Sequence, residues 1–163
     1  VFLLWAKKEL NSYRKIKNMG YSIYIGEAVL EKEKYSGMYI PRVHEKCLPV
    51  APSFTGDPLS SNKNGRHPSY GGWHDFVKKA ELNDFFFDEK CGLMSAHPGC
   101  FILKPEHLSK IQETKTNWIA RHPNAVPGFM DTKFDDVLAR LIWLEFWIDW
   151  SLKNCKNPAI FNI

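Results

Sequence analysis

The apolar positions of this chain change period along its length. Tyr21, Ile23 and Ile25 alternate with Ser22 and Tyr24, the two-residue period of a half-buried strand rich in β-formers. The alternation predicts a strand within 21–34, where Gly26 marks a bulge or the close approach of another backbone. Ser36-Gly37 is a turn signal, and 38–50 reads as a second extended piece pairing back as an antiparallel hairpin. Pro41 puts that piece at a sheet edge or ends it. The spacing then becomes helical. Ser69 is a candidate cap for a helix carrying Trp73, Phe76, Val77 and Ala80, although Gly71-Gly72 weakens its first turn. Residues 85–87, three phenylalanines, read as a short buried strand or turn, and Phe101, Ile102 and Leu103 as an inner strand. Lys104-Pro105-Glu106 starts a helix whose buried face is Leu108, Ile111, Lys115, Trp118 and Ile119, and Pro123 stops it at His122.

The longest helical pattern runs over 132–154. Val137, Leu138, Leu141, Leu144, Ile148 and Leu152 share one face, while Ile142, Trp143, Phe146, Trp147 and Trp150 cover most of the rest. A helix apolar nearly all round is buried on several sides. Thr132 is the expected N-cap, with Asp135 completing a capping box. Arg140, Glu145 and Asp149 interrupt the run, leaving it short of the roughly 20 residues a membrane span needs. A short tail with Ile160, Phe161 and Ile163 follows. These elements predict an α+β fold: a small antiparallel sheet or hairpin near the N-terminus, packed on about three to four helices, with a long central apolar C-terminal helix.

Residues 1–18 carry Phe2, Trp5, Leu10, Tyr13 and Ile16 at helical spacing and read as an N-terminal helical extension, with 19–163 as a single domain. Met19-Gly20-Tyr21 resembles a natural start. The opening apolar run is too short for a signal-peptide core and has no basic segment before it. The stretch 49–66 is dense in Pro, Gly, Ser and Asn and reads as a long loop, a type that is commonly functional.

Composition changes this picture in three places. A chain of 163 residues is long enough for a real core, and 14% aromatic content makes that core bulky. The net charge of +4 comes without any long run of like charges, so nucleic acid is not an expected partner. Cys47, Cys91, Cys100 and Cys155 are widely spaced with no CxxC pair, which reads as reduced thiols and a cytoplasmic location.

His-Pro occurs three times, at His67-Pro68, His97-Pro98 and His122-Pro123, and Arg66 and Arg121 directly precede two of them. Proline restrains the residue before it, so each imidazole rides on stiff backbone. Were the three loops to meet, Arg66, His67, Tyr70, Trp73, His97, Arg121 and His122 would line a pocket for a small anionic or nucleotide-like ligand. Three ordinary helix-boundary loops would give the same repetition. No cofactor is expected; the zinc alternative rests on His44-x-x-Cys47 and His97-x-x-Cys100 with Cys91 nearby, without the Cys pairs usual in metal knuckles. No catalytic residue is assigned. An enzyme would draw on Cys100 as nucleophile, His97 or His67 as base, and Glu145 or Asp149 to orient it. Glu145 and Asp149 lie one turn apart on one face, so they form either a solvated stripe or a carboxylate pair holding Arg, His or a metal.

The segments IYIGEA at 23–28, RHPSYGGWHDF at 66–76, GLMSAHPGC at 92–100 and HPNAVPG at 122–128 resemble a group of small uncharacterised proteins encoded by bacterial and phage genomes. That resemblance implies an intracellular protein, from a phage or mobile element, and brings no activity or catalytic residues with it. The resulting expectation is a non-catalytic binding protein for a small anionic molecule or for a partner protein, the latter including immunity-like and anti-defence inhibitors. The alternatives are a small hydrolase or transferase using histidine with Cys100 or a metal, and a structural subunit that forms homo-oligomers. No membrane association is expected. An inhibitor should expose a rigid aromatic or charged patch; a small-molecule binder should show a concave pocket.

Overall fold

The computed structural model describes residues 20–47, 63–127 and 131–163. The predicted helix over 1–18, and residues 49–62 of the predicted loop, lie outside them. In chain order the elements are β1 (Ile23–Lys32), β2 (Tyr39–Val43), β3 (Gly65–Arg66), α1 (Tyr70–Lys79), α2 (Asn83–Phe87), β4 (Gly99–Ile102), α3 (Pro105–Arg121), α4 (Asp136–Asn154) and β5 (Pro158–Asn162). The molecule is mixed α and β, with one antiparallel sheet and, among the described residues, four helices.

The sheet runs β2-β1-β5-β4, with β3 pairing the start of β1. It is neither small nor confined to the N-terminal region, because the predicted tail is a strand. Pro158–Asn162 inserts between β1 and β4, pairing Ile25 with Ile160 on one side and Phe101 with Ile160 on the other. The tail's alternation was too brief to register as a strand, yet Ala159, Ile160 and Phe161 are all buried. The predicted inner strand at 101–103 is instead the edge strand β4, and Ile102 is 54% exposed. The three phenylalanines at 85–87 belong to the short helix α2, which buries only Phe86 fully.

The β1–β2 hairpin forms as the alternation implies, with Ala28 opposite Val43 and Lys32 opposite Tyr39. Its turn places Gly37 at φ +70, a conformation that disfavours any residue with a Cβ. Gly26 sits in unbroken register opposite Ala159; what approaches it is the Asn64 side chain, whose Nδ2 donates to Ile25 O at 2.9 Å.

Two apolar clusters occupy the two sides of the sheet. On the inner side, Ile23, Ile25 and Ile160 pack with Trp73, Phe76 and Val77 of α1, Phe86 of α2, Ile111 of α3, and Leu141, Trp143, Leu144, Trp147 and Ile148 of α4. On the outer side Val43, Ala159 and Phe161 pack with Tyr24, Ala28 and Cys100, without any helix residue among the described residues. Helix α4 begins later than predicted. Asp135, not Thr132, is the N-cap, accepting from Leu138 N at 2.8 Å. Its other carboxylate oxygen accepts from Trp118 Nε1 at 3.1 Å, so one aspartate both caps α4 and ties it to α3. Ser69 caps α1 as predicted, accepting from Gly72 N. Gly20 bridges Ser69 so closely that a Cβ there would sit 2.3 Å from Pro68 O.

Candidate functional site

The three His-Pro loops go to three different places. His67 lies on the outer side of the sheet, its Nδ1 3.1 Å from Ser22 Oγ and its ring 5.6 Å from Tyr24. His97 lies at the inner side, against Tyr21 and Tyr70. His122 caps the end of α3 and stacks on Trp118, with ring centroids 4.0 Å apart. The neighbouring arginines do not converge either. Arg66 is 5% exposed with its guanidinium 5.7 Å from the Trp143 ring centre, and Arg121 pairs with Glu81 at 2.9 Å. Trp73 is fully buried against Phe76 and Phe86, so it offers no stacking face to a ligand. Of the seven residues singled out for ligand binding, the structure brings Tyr70 and His97 together.

Those two belong to a cluster with Asn162, Tyr21 and His74, three residues that the sequence did not single out for a site. Asn162 is fully buried in β5, and its Nδ2 donates to Ala96 O at 3.1 Å and to Gly99 O at 3.4 Å. Its Oδ1 therefore accepts, and the donor is His97 Nδ1–H at 2.8 Å. With Nδ1 carrying the proton, the Nε2 of that tautomer accepts a hydrogen bond from the Tyr70 hydroxyl at 3.0 Å. Beside it, the Tyr21 hydroxyl and His74 Nε2 are 3.2 Å apart, and the Tyr21 and Tyr70 rings meet edge-on at 4.7 Å. Burial holds the Tyr21 phenol above its ordinary value, and the neighbouring Tyr70 adds to the shift. The sequence carried one signal for the helical part of this group, Tyr70 and His74 at i,i+4 spacing.

The enzyme and zinc sets are dispersed. Cys100 lies on the outer side of the sheet, away from His97, and burial pushes its thiol up, the opposite of what a nucleophile needs. His44 pairs with Glu31, and Cys47 bridges Lys63. Among the described residues no group of three or more His, Cys, Asp or Glu could hold a metal ion. All four cysteines are free. Glu145 and Asp149 share one face of α4, and each meets a lysine: Lys115 of α3 for Glu145, and Lys153 at 2.7 Å for Asp149. Both acids line a groove of about 640 Å³ between α3 and α4. Ile119, predicted to be buried, is 45% exposed and lines that groove.

Among the described residues, the most exposed apolar side chains lie elsewhere. Leu30 is 70% exposed, Tyr35 92%, Met38 64% and Tyr39 67%, all on the β1–β2 hairpin. The register puts Leu30, Tyr39 and Pro41 on the outer side of the sheet, together with Ile102 at the far edge. On that side Lys32 has no ion pair among the described residues, nor have Lys34 and Glu33 at the turn, whereas Glu31 has His44 and Glu45 has Lys63.

Compared with known proteins, this chain matches no family model, no curated protein and no solved structure. No helix among the described residues is long and apolar enough to cross a membrane.

Proposed function

We propose that this chain is a non-catalytic binding protein that engages a partner protein through its β1–β2 hairpin and the outer side of its sheet. The observation that carries this reading is the concentration of exposed Leu30, Tyr35, Met38 and Tyr39 on one hairpin. Large exposed apolar patches mark interaction sites in proteins that otherwise bury such residues. Aromatic side chains make strong anchors because they cover much area with little rotamer freedom. The cations Lys32 on the outer side and Lys34 at the turn favour a partner surface that carries acidic groups around an apolar centre. Pro41 in the middle of edge strand β2 withholds an N–H, which disfavours strand addition and favours docking on the face.

An immunity-like or anti-defence inhibitor in the cytoplasm works in this way, needing anchors and no catalytic apparatus. The scattering of the His-Pro residues and the raised Cys100 thiol weigh against the hydrolase or transferase alternative. The test is cross-linking and affinity capture from the source organism, with Leu30→Asp and Tyr39→Asp beside the unaltered chain. A partner captured by the unaltered chain and lost by both variants, with their unfolding midpoints unchanged, supports the reading. A partner retained by both variants overturns it. A concentration-dependent dimer lost in the same variants would make the partner a second copy of the chain.

A further inference from the structure

The groove between α3 and α4 has a chemical gradient along its length. The two helices pack against one another in antiparallel fashion, so Ile119 lies toward the start of α4, with Leu138 and Ile142, and Gln112 lies toward its end, with Asp149. Pro127 joins the apolar end, Lys153 the polar one, and Phe146 bridges them. Its volume of about 640 Å³ lies in the range of small-molecule sites.

The two ion pairs in its wall are not equivalent. Lys115 and Glu145 are 24% and 23% exposed and hold each other across the two helices. Asp149 is 37% exposed, but its partner Lys153 is 70% exposed and comes from the same helix one turn on. Such an exposed i,i+4 pair is weak, and its lysine can leave for water. Asp149 thus keeps a carboxylate at the polar end of the groove, which Gln112 also lines, with an exchangeable cation on it. The last turns of α4 also carry the negative end of the helix dipole.

We infer that this groove is a binding site for a primary-amine amphiphile, with its apolar tail along Ile119, Leu138 and Ile142 and its ammonium group on Asp149 in place of Lys153. The site is independent of the hairpin surface proposed above. The probes are decylammonium, decanoate and decanol, titrated below their micelle concentrations while the backbone amide signals of Ile142, Phe146 and Asp149 are followed by NMR. Decylammonium is expected to saturate these signals about threefold more tightly than decanoate, the scale of a part-exposed ion pair. Asp149→Asn should remove the preference for the amine while leaving tail binding in place. Ile142→Trp, which fills the groove from a half-buried position, should abolish binding of all three, and its unfolding midpoint shows that it folds. The inference is overturned if none of the three shifts the groove signals, if decanoate binds as tightly as the amine, if Asp149→Asn keeps the preference, or if folded Ile142→Trp binds unchanged.

Discussion

Strand β1 is one continuous strand with two different lives. Over 23–27 it has β5 on one side, β3 at its start on the other, and helices across its inner side, and Ile23 and Ile25 are fully buried. Over 28–32 it has β2, while β5 reaches back only to Pro158 opposite Glu27, and Leu30 is 70% exposed. Ile25 and Leu30 are both large aliphatic residues of one strand. Their odd offset puts Ile25 on the inner side, under the helices, and Leu30 on the outer side, beyond the reach of β5. A hydrophobic pattern sets which residues share a side; the side the helices cover and the length of the neighbouring strands decide what is buried.

The largest effect should come from cutting into the covered half. Ile25→Ala is expected to lose about 3 kcal/mol of stability in urea unfolding, because it leaves a cavity in close-packed surroundings. Leu30→Ala should change stability by no more than about 0.5 kcal/mol, as for other exposed positions. Equal losses would mean that the two halves are not energetically distinct. On the exposed half the expected cost is paid in affinity instead: Tyr39→Ala should weaken partner binding by about 2 kcal/mol, roughly thirtyfold, in a competition assay with the captured partner.

A smaller effect concerns the far end of the same covered region. Asn162→Ala leaves Ala96 O, Gly99 O and His97 without their partner and should cost about 1.5 kcal/mol. His97→Ala, at an exposed ring, should cost less than Asn162→Ala in the same denaturation experiment. The smallest expected effect is a pH dependence. Burial holds His107 below its ordinary value, with Lys104 acting in the same direction and Glu106 opposing. Its Nδ1 accepts from Lys104 N at 3.0 Å, which also requires the neutral ring. Because the folded pKa is depressed, the unfolded chain binds the proton more readily, and this contribution is complete above the ordinary histidine value near 6.5 and lost as pH falls through the lower folded value. The urea midpoint of the native chain should therefore fall across that window, and His107→Gln, which retains an acceptor, should flatten the fall.

How legible this was in the sequence depends on whether the signal was local. The β1–β2 hairpin, the Ser69 cap and the Pro105 helix start rest on neighbours within a few residues, and each is present. The identity of β5 rests on strands far away in the chain, which is why Ala159–Phe161 read as a tail. Asp135 links two helices through Trp118, a contact with no periodicity to announce it. The His-Pro repetition was real as a pattern, but the sheet puts His67 and His97 on opposite sides and α3 carries His122 away from both. The group around His97 was half visible, because Tyr70 and His97 carried a signal whereas the buried Asn162 that orients the ring did not.

The position of β5 also has a consequence for synthesis. Glu27 accepts hydrogen bonds from Asn157, 130 residues later in the chain. At roughly 5–20 residues per second, a ribosome needs roughly 7–26 s to supply that partner. For the later part of that interval, once β4 has been made, β1 and β4 both lack the strand that joins them, and the nascent chain depends on its helices packing first or on a chaperone holding the open sheet.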